Sequence, residues 1–229
     1  MTPRVDGEVH WFAEQGLFDG LFLMRDEESG TFWDHMTGDA VYGPMVGSSL
    51  EVQPLVMTTA EQALEMAPDA RITLSDQAIR RDSDMKVDGL LAGIRGRLNA
   101  FFQGTVAKED DRRPTMDLGL GLWTDSEARY YPMDRVREEG RAIVDTFNGE
   151  RVLIFIDPET FVLSAFLVSG DDPEWRGDRL RLSDGSYVEN GVLHDASGDA
   201  VAGARPLQVF TRWYGFSLTF PETEIWGDG

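Results

Sequence analysis

Each of the three histidines stands beside an aromatic or a carboxylate: His10 before Trp11, His35 after Asp34, and His194 before Asp195. The last two introduce nearly identical runs, Thr37-Gly38-Asp39-Ala40-Val41 and Ser197-Gly198-Asp199-Ala200-Val201. If those runs share a seam, His35, His194 and the carboxylates of Asp34, Asp39, Asp195 and Asp199 make a donor set suited to Zn²⁺, Mn²⁺ or Fe²⁺. Water on such an ion loses a proton readily, which is the chemistry of a metal-dependent hydrolase or lyase. The same residues have a plainer use. Gly-Asp pairs make turns, and the Asp oxygens then accept the turn's own N–H groups. Both readings stand open, and a divalent metal is the one cofactor these residues would take.

Aromatic residues offer a second kind of site. Trp33, Trp213 and Tyr214 could line a cleft for a flat ligand, or fill the core of a small β-rich unit. Other chemistries lack their motifs. There is no Gly-x-Ser-x-Gly elbow, Walker loop, His-Glu-x-x-His or dinucleotide fingerprint. Asp82-Ser83-Asp84 starts like a calcium loop, but Gly93 stands where a bidentate Glu is required. Pairs such as Asp125 and Glu127 have general acid–base spacing, yet carboxylates this abundant pair by chance. No residue is singled out as catalytic.

Charge narrows the partners. With 41 acidic and 21 basic residues the net charge is −20 and the pI near 4.4, which excludes a general nucleic-acid binder and adhesion to anionic membranes. No run approaches the roughly eighteen apolar residues of a membrane span. Zero cysteines exclude disulfides and thiolate chemistry. Lys86 and Lys108 are the only lysines, so the basic residues are nearly all arginine. That bias has two readings: a surface adapted to high salt, where the weakly hydrated guanidinium keeps its carboxylate partners, or GC-rich coding.

These residues must be held by β-rich elements. Leu17–Met24, a turn at Asp26–Gly30 and Thr31–Trp33 read as strand, loop, strand. Thr58-Thr59-Ala60-Glu61 reads as a capping box opening a helix through Met66. Leu90 to Phe102 has helical apolar spacing, interrupted by Gly93 and Gly96. Leu120–Trp123 with Ala128–Tyr131 forms a hairpin, and Pro132–Glu139 a short helix. Ala142–Phe147 and Val152–Ile156 form another hairpin, because Asn148-Gly149 tolerates positive φ. Phe161–Val168 adds a strand, and Thr211–Phe220 a helix before Pro221. The Thr37–Val41 echo recurs with a second one, Pro68–Ile72 against Pro221–Ile225. Together they imply an α+β, mainly β fold of two related lobes: 1–75, an insertion at 76–115, and 116–229.

The run Gly16-Leu17-Phe18, Asp26…Gly30-Thr31-Phe32-Trp33, Thr37-Gly38-Asp39-Ala40-Val41, Gly43-Pro44 and Pro68-Asp69 resembles domain-of-unknown-function family 3179. Asp111-Arg112-Arg113-Pro114, Tyr131-Pro132 and Asn148-Gly149 through Asp157-Pro158 extend the likeness to nearly the whole chain. The resemblance implies architecture and not chemistry, since that family has no established activity. Its Cys-Pro-Leu-Cys-Gly motif, expected just before Arg4, has no counterpart here, and no metal or redox role carries over from it. Strands missing ahead of Arg4 would uncover a sheet edge, filled by an identical chain or by the Leu90–Phe102 helix. As written, the chain opens without an apolar leader, which places it in the cytoplasm. A start further upstream, as the commonly exported family implies, would place it outside. The expected function is a non-catalytic binding or assembly domain, with the metal-dependent enzyme as alternative.

Overall fold

The computed structural model describes residues 3–18, 20–71, 104, 106 and 109–228. Among them are five sheets and three short helices, the mainly β form of the α+β class. The expected Leu90–Phe102 helix lies outside the described residues. No described helix is long and apolar enough to cross a membrane. The chain divides into two compact units, Pro3–Ser49 with Ala70–Glu109, and Leu50–Asp69 with Asp110–Gly229. Leu50–Asp69, assigned on sequence to the first lobe, thus belongs to the second unit.

In the smaller unit, β1 (Arg4–Val5) and β2 (Glu8–Val9) turn at Asp6-Gly7, both at positive φ. A meander follows of β3 (Phe12–Phe18), β4 (Leu21–Asp26), β5 (Phe32–Asp34) and β6 (Ala40–Tyr42), paired in sequence order. Trp33, at its centre, is fully buried. Among the described residues β3 is an edge strand.

The larger unit begins with α1 (Ala60–Met66). Its capping box is built one residue later than the spacing predicts: Thr59 accepts from the Gln62 N–H, and the Gln62 side chain accepts from the Thr59 N–H. One sheet comprises β7 (Leu118–Trp123), β8 (Ala128–Pro132), β16 (Gln208–Arg212) and β17 (Glu224–Ile225), in the order β16-β7-β8-β17. Helices α2 (Met133–Glu138) and α3 (Trp213–Thr219) follow directly from β8 and β16.

A second sheet contains β9 (Ala142–Phe147), β10 (Glu150–Ile156) and β11 (Leu163–Leu167), with β10 central. The third is a meander of β12 (Glu174–Arg176), β13 (Arg179–Arg181), β14 (Tyr187–Glu189) and β15 (Val192–His194). Val152-Leu153-Ile154-Phe155-Ile156 of β10 is apolar without alternation, so it needs cover on both faces. Val152, Ile154 and Ile156 pack with Leu120, Leu122, Tyr131 and Val136, whereas Leu153 and Phe155 pack with Leu180, Leu182, Val188 and Leu193. The β9–β11 sheet is therefore the middle layer of this unit.

Candidate functional site

Within the larger unit, α1, the β14–β15 turn and the Ala200–Arg205 segment border a groove of about 800 Å³. Gln62 holds α1 against this wall. Its side chain is buried, caps the helix, and donates to the Asp157 carboxylate at 2.9 Å. Asn190 donates to Glu65 from the β14–β15 turn. Most of the lining is apolar, with Pro54, Val56, Met66, Phe166, Val192 and Val201 contributing the larger side chains. Glu65 and Arg205 are its only ionisable groups among the described residues.

Arg205 is placed by its neighbours in sequence. Gly203 turns the chain at φ 71°, and Pro206 favours extended backbone at the residue before it. The guanidinium lies over the Phe166 ring, 3.9 Å from its centroid. Nη1 donates to the Ser164 hydroxyl at 2.7 Å and to the Ala165 carbonyl at 3.2 Å. Nη2 donates to the Gly191 carbonyl at 2.8 Å, and its other contact is the Met66 sulfur at 3.8 Å. No carboxylate among the described residues pairs with this cation. Burial lowers its pKa to about 10, opposed only by the field of Asp157. A half-buried charge held solely by neutral acceptors is an energetically exposed group.

In the smaller unit, the ligand atoms of His10, Asp26 and Glu28 lie within 4.8 Å of one another. The imidazole Nδ1 is 3.4 Å from Asp26 and 3.8 Å from Glu28. These carboxylates already have work. Asp26 accepts from the Ser29 N–H at 2.6 Å, the Ser29 hydroxyl at 2.7 Å and the Trp33 indole at 2.8 Å. Burial pushes its carboxyl up, but those donors outweigh burial and bring the pKa down to about 2. Both Glu28 oxygens accept from the Trp11 N–H. The cluster is first of all a braced turn, and a cation there would compete with donors already seated.

The residues singled out on sequence are placed as follows. Asp34 accepts the Met36 and Thr37 N–H groups, and Asp39 accepts the Ser49 hydroxyl. Asp195 accepts the Ser197 and Asp199 N–H groups together with the Ser197 hydroxyl. Asp199 stands 3.5 Å from the Ser197 hydroxyl. His35 belongs to the smaller unit, edge-on to Phe22, while His194 belongs to the larger, stacked on Tyr187 with Nδ1 3.2 Å from the Gly198 carbonyl. Trp33 and Trp213 are fully buried, and Trp213 donates to the Asp110 carbonyl. Tyr214 is half-buried in α3. None of these nine residues lines the groove.

Arg205 was legible in one respect. Residues 200–221 contain no Asp or Glu, in a chain with 41 of them, so this arginine has no local carboxylate. Its partners come from distant segments, Ser164 41 residues away and Met66 139, and no spacing rule connects them. His10 carried no signal beyond its aromatic neighbour.

No curated protein and no solved structure matches the chain. A family profile does, over residues 1–203 of 229. With most of its length so matched, the chain belongs to the family described as protein of unknown function (DUF3179).

Proposed function

We propose that the chain is a non-catalytic binding module whose ligand occupies the groove beside α1. One observation carries this reading: an apolar hollow of about 800 Å³, the size of a small-ligand site, whose described lining offers no nucleophile or general-base pair. Its apolar walls favour burial of an apolar body. The test is chemical-shift mapping with 1-octanol, an uncharged probe. Shifts should concentrate at Val56, Met66, Phe166 and Val192, and Ala202→Trp, which places an indole in the groove from an exposed position, should remove them. Shifts scattered over the surface, or unchanged in Ala202→Trp, would defeat the reading.

A second reading, assembly of identical chains, is favoured by the smaller unit. Among the described residues β3 is a sheet edge, with Trp11 just before it 72% and Phe18 at its end 65% exposed. Unpaired backbone flanked by large apolar side chains is a template for pairing with another copy.

A further inference from the structure

We infer that the groove selects a monocarboxylate with an apolar body, its head group seated on Arg205. This rests on the groove being a binding site, and adds the ligand's chemistry. Both hydrogens of Nη1 are committed to Ser164 and Ala165. Nη2 gives one to Gly191 and faces only a thioether sulfur with the other. Nε has no partner. The Nε and Nη2 donors thus form an unfilled fork on the Met66 side, and Met66 and Arg205 both line the groove. Two parallel N–H donors on a planar cation match the two oxygens of a carboxylate, and sulfur is a weak acceptor that a carboxylate displaces.

Other occupants fit less well. A peptide adding a strand needs free backbone along the groove. There, Leu193 accepts from Val201, Ala204 accepts from Leu167, and Ala165 is satisfied through the Gln208 side chain. Polyanions meet Glu65 in the same wall and a chain of net charge −20. One negative charge is what a single unpaired guanidinium neutralises. The apolar lining then takes the rest of the molecule.

Three probes with one eight-carbon body separate the possibilities by calorimetry: octanoate, 1-octanol and octylammonium. Octanoate should bind about tenfold or more tightly than octanol, and Arg205→Gln should remove that advantage while leaving octanol's affinity within a few fold. Octylammonium should bind weakest, although the protein's overall charge attracts it, so a preference for octanoate would be local in origin. Inorganic phosphate should not compete. If octanol equals octanoate in the wild-type protein, and Ala202→Trp still abolishes both, the groove stands and the carboxylate inference falls. Octanoate binding that Arg205→Gln leaves intact overturns it as well, as does tighter binding of phosphate. If none of the three probes binds, the binding-module reading itself fails. The wild-type comparison decides the matter even if Arg205→Gln does not fold.

Discussion

Asp26 and Arg205 are opposite solutions to holding a charge out of water. The carboxylate of Asp26 is fully buried, but two N–H donors and a hydroxyl converge on it within one turn, so ionisation is favoured and the pKa falls to about 2. A folded-state value below the ordinary 3.8 means the unfolded chain takes up its proton first as pH drops. The associated stability is therefore present above pH 4 and disappears as the pH falls towards 2; it amounts to about 2 kcal/mol. Asp26→Asn should cost about that much at pH 7, and the gap between wild type and variant in urea midpoints should close towards pH 2. A gap that stays constant would mean the carboxylate's charge contributes nothing. Both charges are held by neutral groups, but Arg205 leaves one Nη2 hydrogen on a weak thioether acceptor, and so it is the residue with binding capacity left over.

At the scale of elements, two glycines decide how closely α3 lies on its sheet. A Cβ at Gly121 of β7 would sit 2.0 Å from the Phe216 ring, and one at Gly119 would sit 2.5 Å from Tyr130. Trp213, Tyr130 and Phe216 interlock over this gap, with ring centroids 5.1 and 5.7 Å apart. Gly121→Ala should cost about 3 kcal/mol, because neither the strand nor a fully buried ring can retreat. A thermal melt unchanged by this substitution would show that the helix docks loosely. The strands and helices of this unit were legible because their signals are local: an unbroken apolar run in β10, and Asn148-Gly149 with φ of 48° and 77° between β9 and β10. Gly121 gave no hint of its use, since the Phe216 ring that approaches it lies far along the chain, in a different element. The Thr37–Val41 and Ser197–Val201 echoes mark two similar turns, each with a glycine at positive φ and a preceding Asp taking the N–H groups. The turn N–H groups go to Asp34 and Asp195 and not to Asp39 and Asp199 of the Gly-Asp pairs, whose carboxylates meet the Ser49 and Ser197 hydroxyls. The groove was not legible, because it exists only where stretches distant in sequence meet, 53–56 and 65–67 with 166, 191–193 and 200–205.

Across the whole molecule, carboxylates outnumber basic groups 41 to 21, so pairing cannot neutralise them. Some arginines pair with several: Arg129 reaches Glu127, Asp145 and Glu224, and Arg113 reaches Asp117 and Asp134. Added salt weakens those bridges but also screens the surplus acids from one another. Exposed pairs contribute little each, about 0–1 kcal/mol, whereas repulsion among the surplus acts over the whole surface and grows with net charge. Screening of the repulsion should win, and the melting temperature should rise from low salt to molar KCl. The same screening bears on self-association. Two copies at −20 repel strongly until the Debye length shrinks from about 10 Å at 0.1 M to about 3 Å at 1 M. If β3 pairs between copies, light scattering at micromolar concentration should show dimers accumulating with salt, and Phe18→Lys, which places a charge beside that edge, should abolish them without lowering the melting temperature. A melt indifferent to salt would favour coding bias as the origin of the arginine-rich composition, and a monomer in molar salt would leave the β3 edge without a second copy.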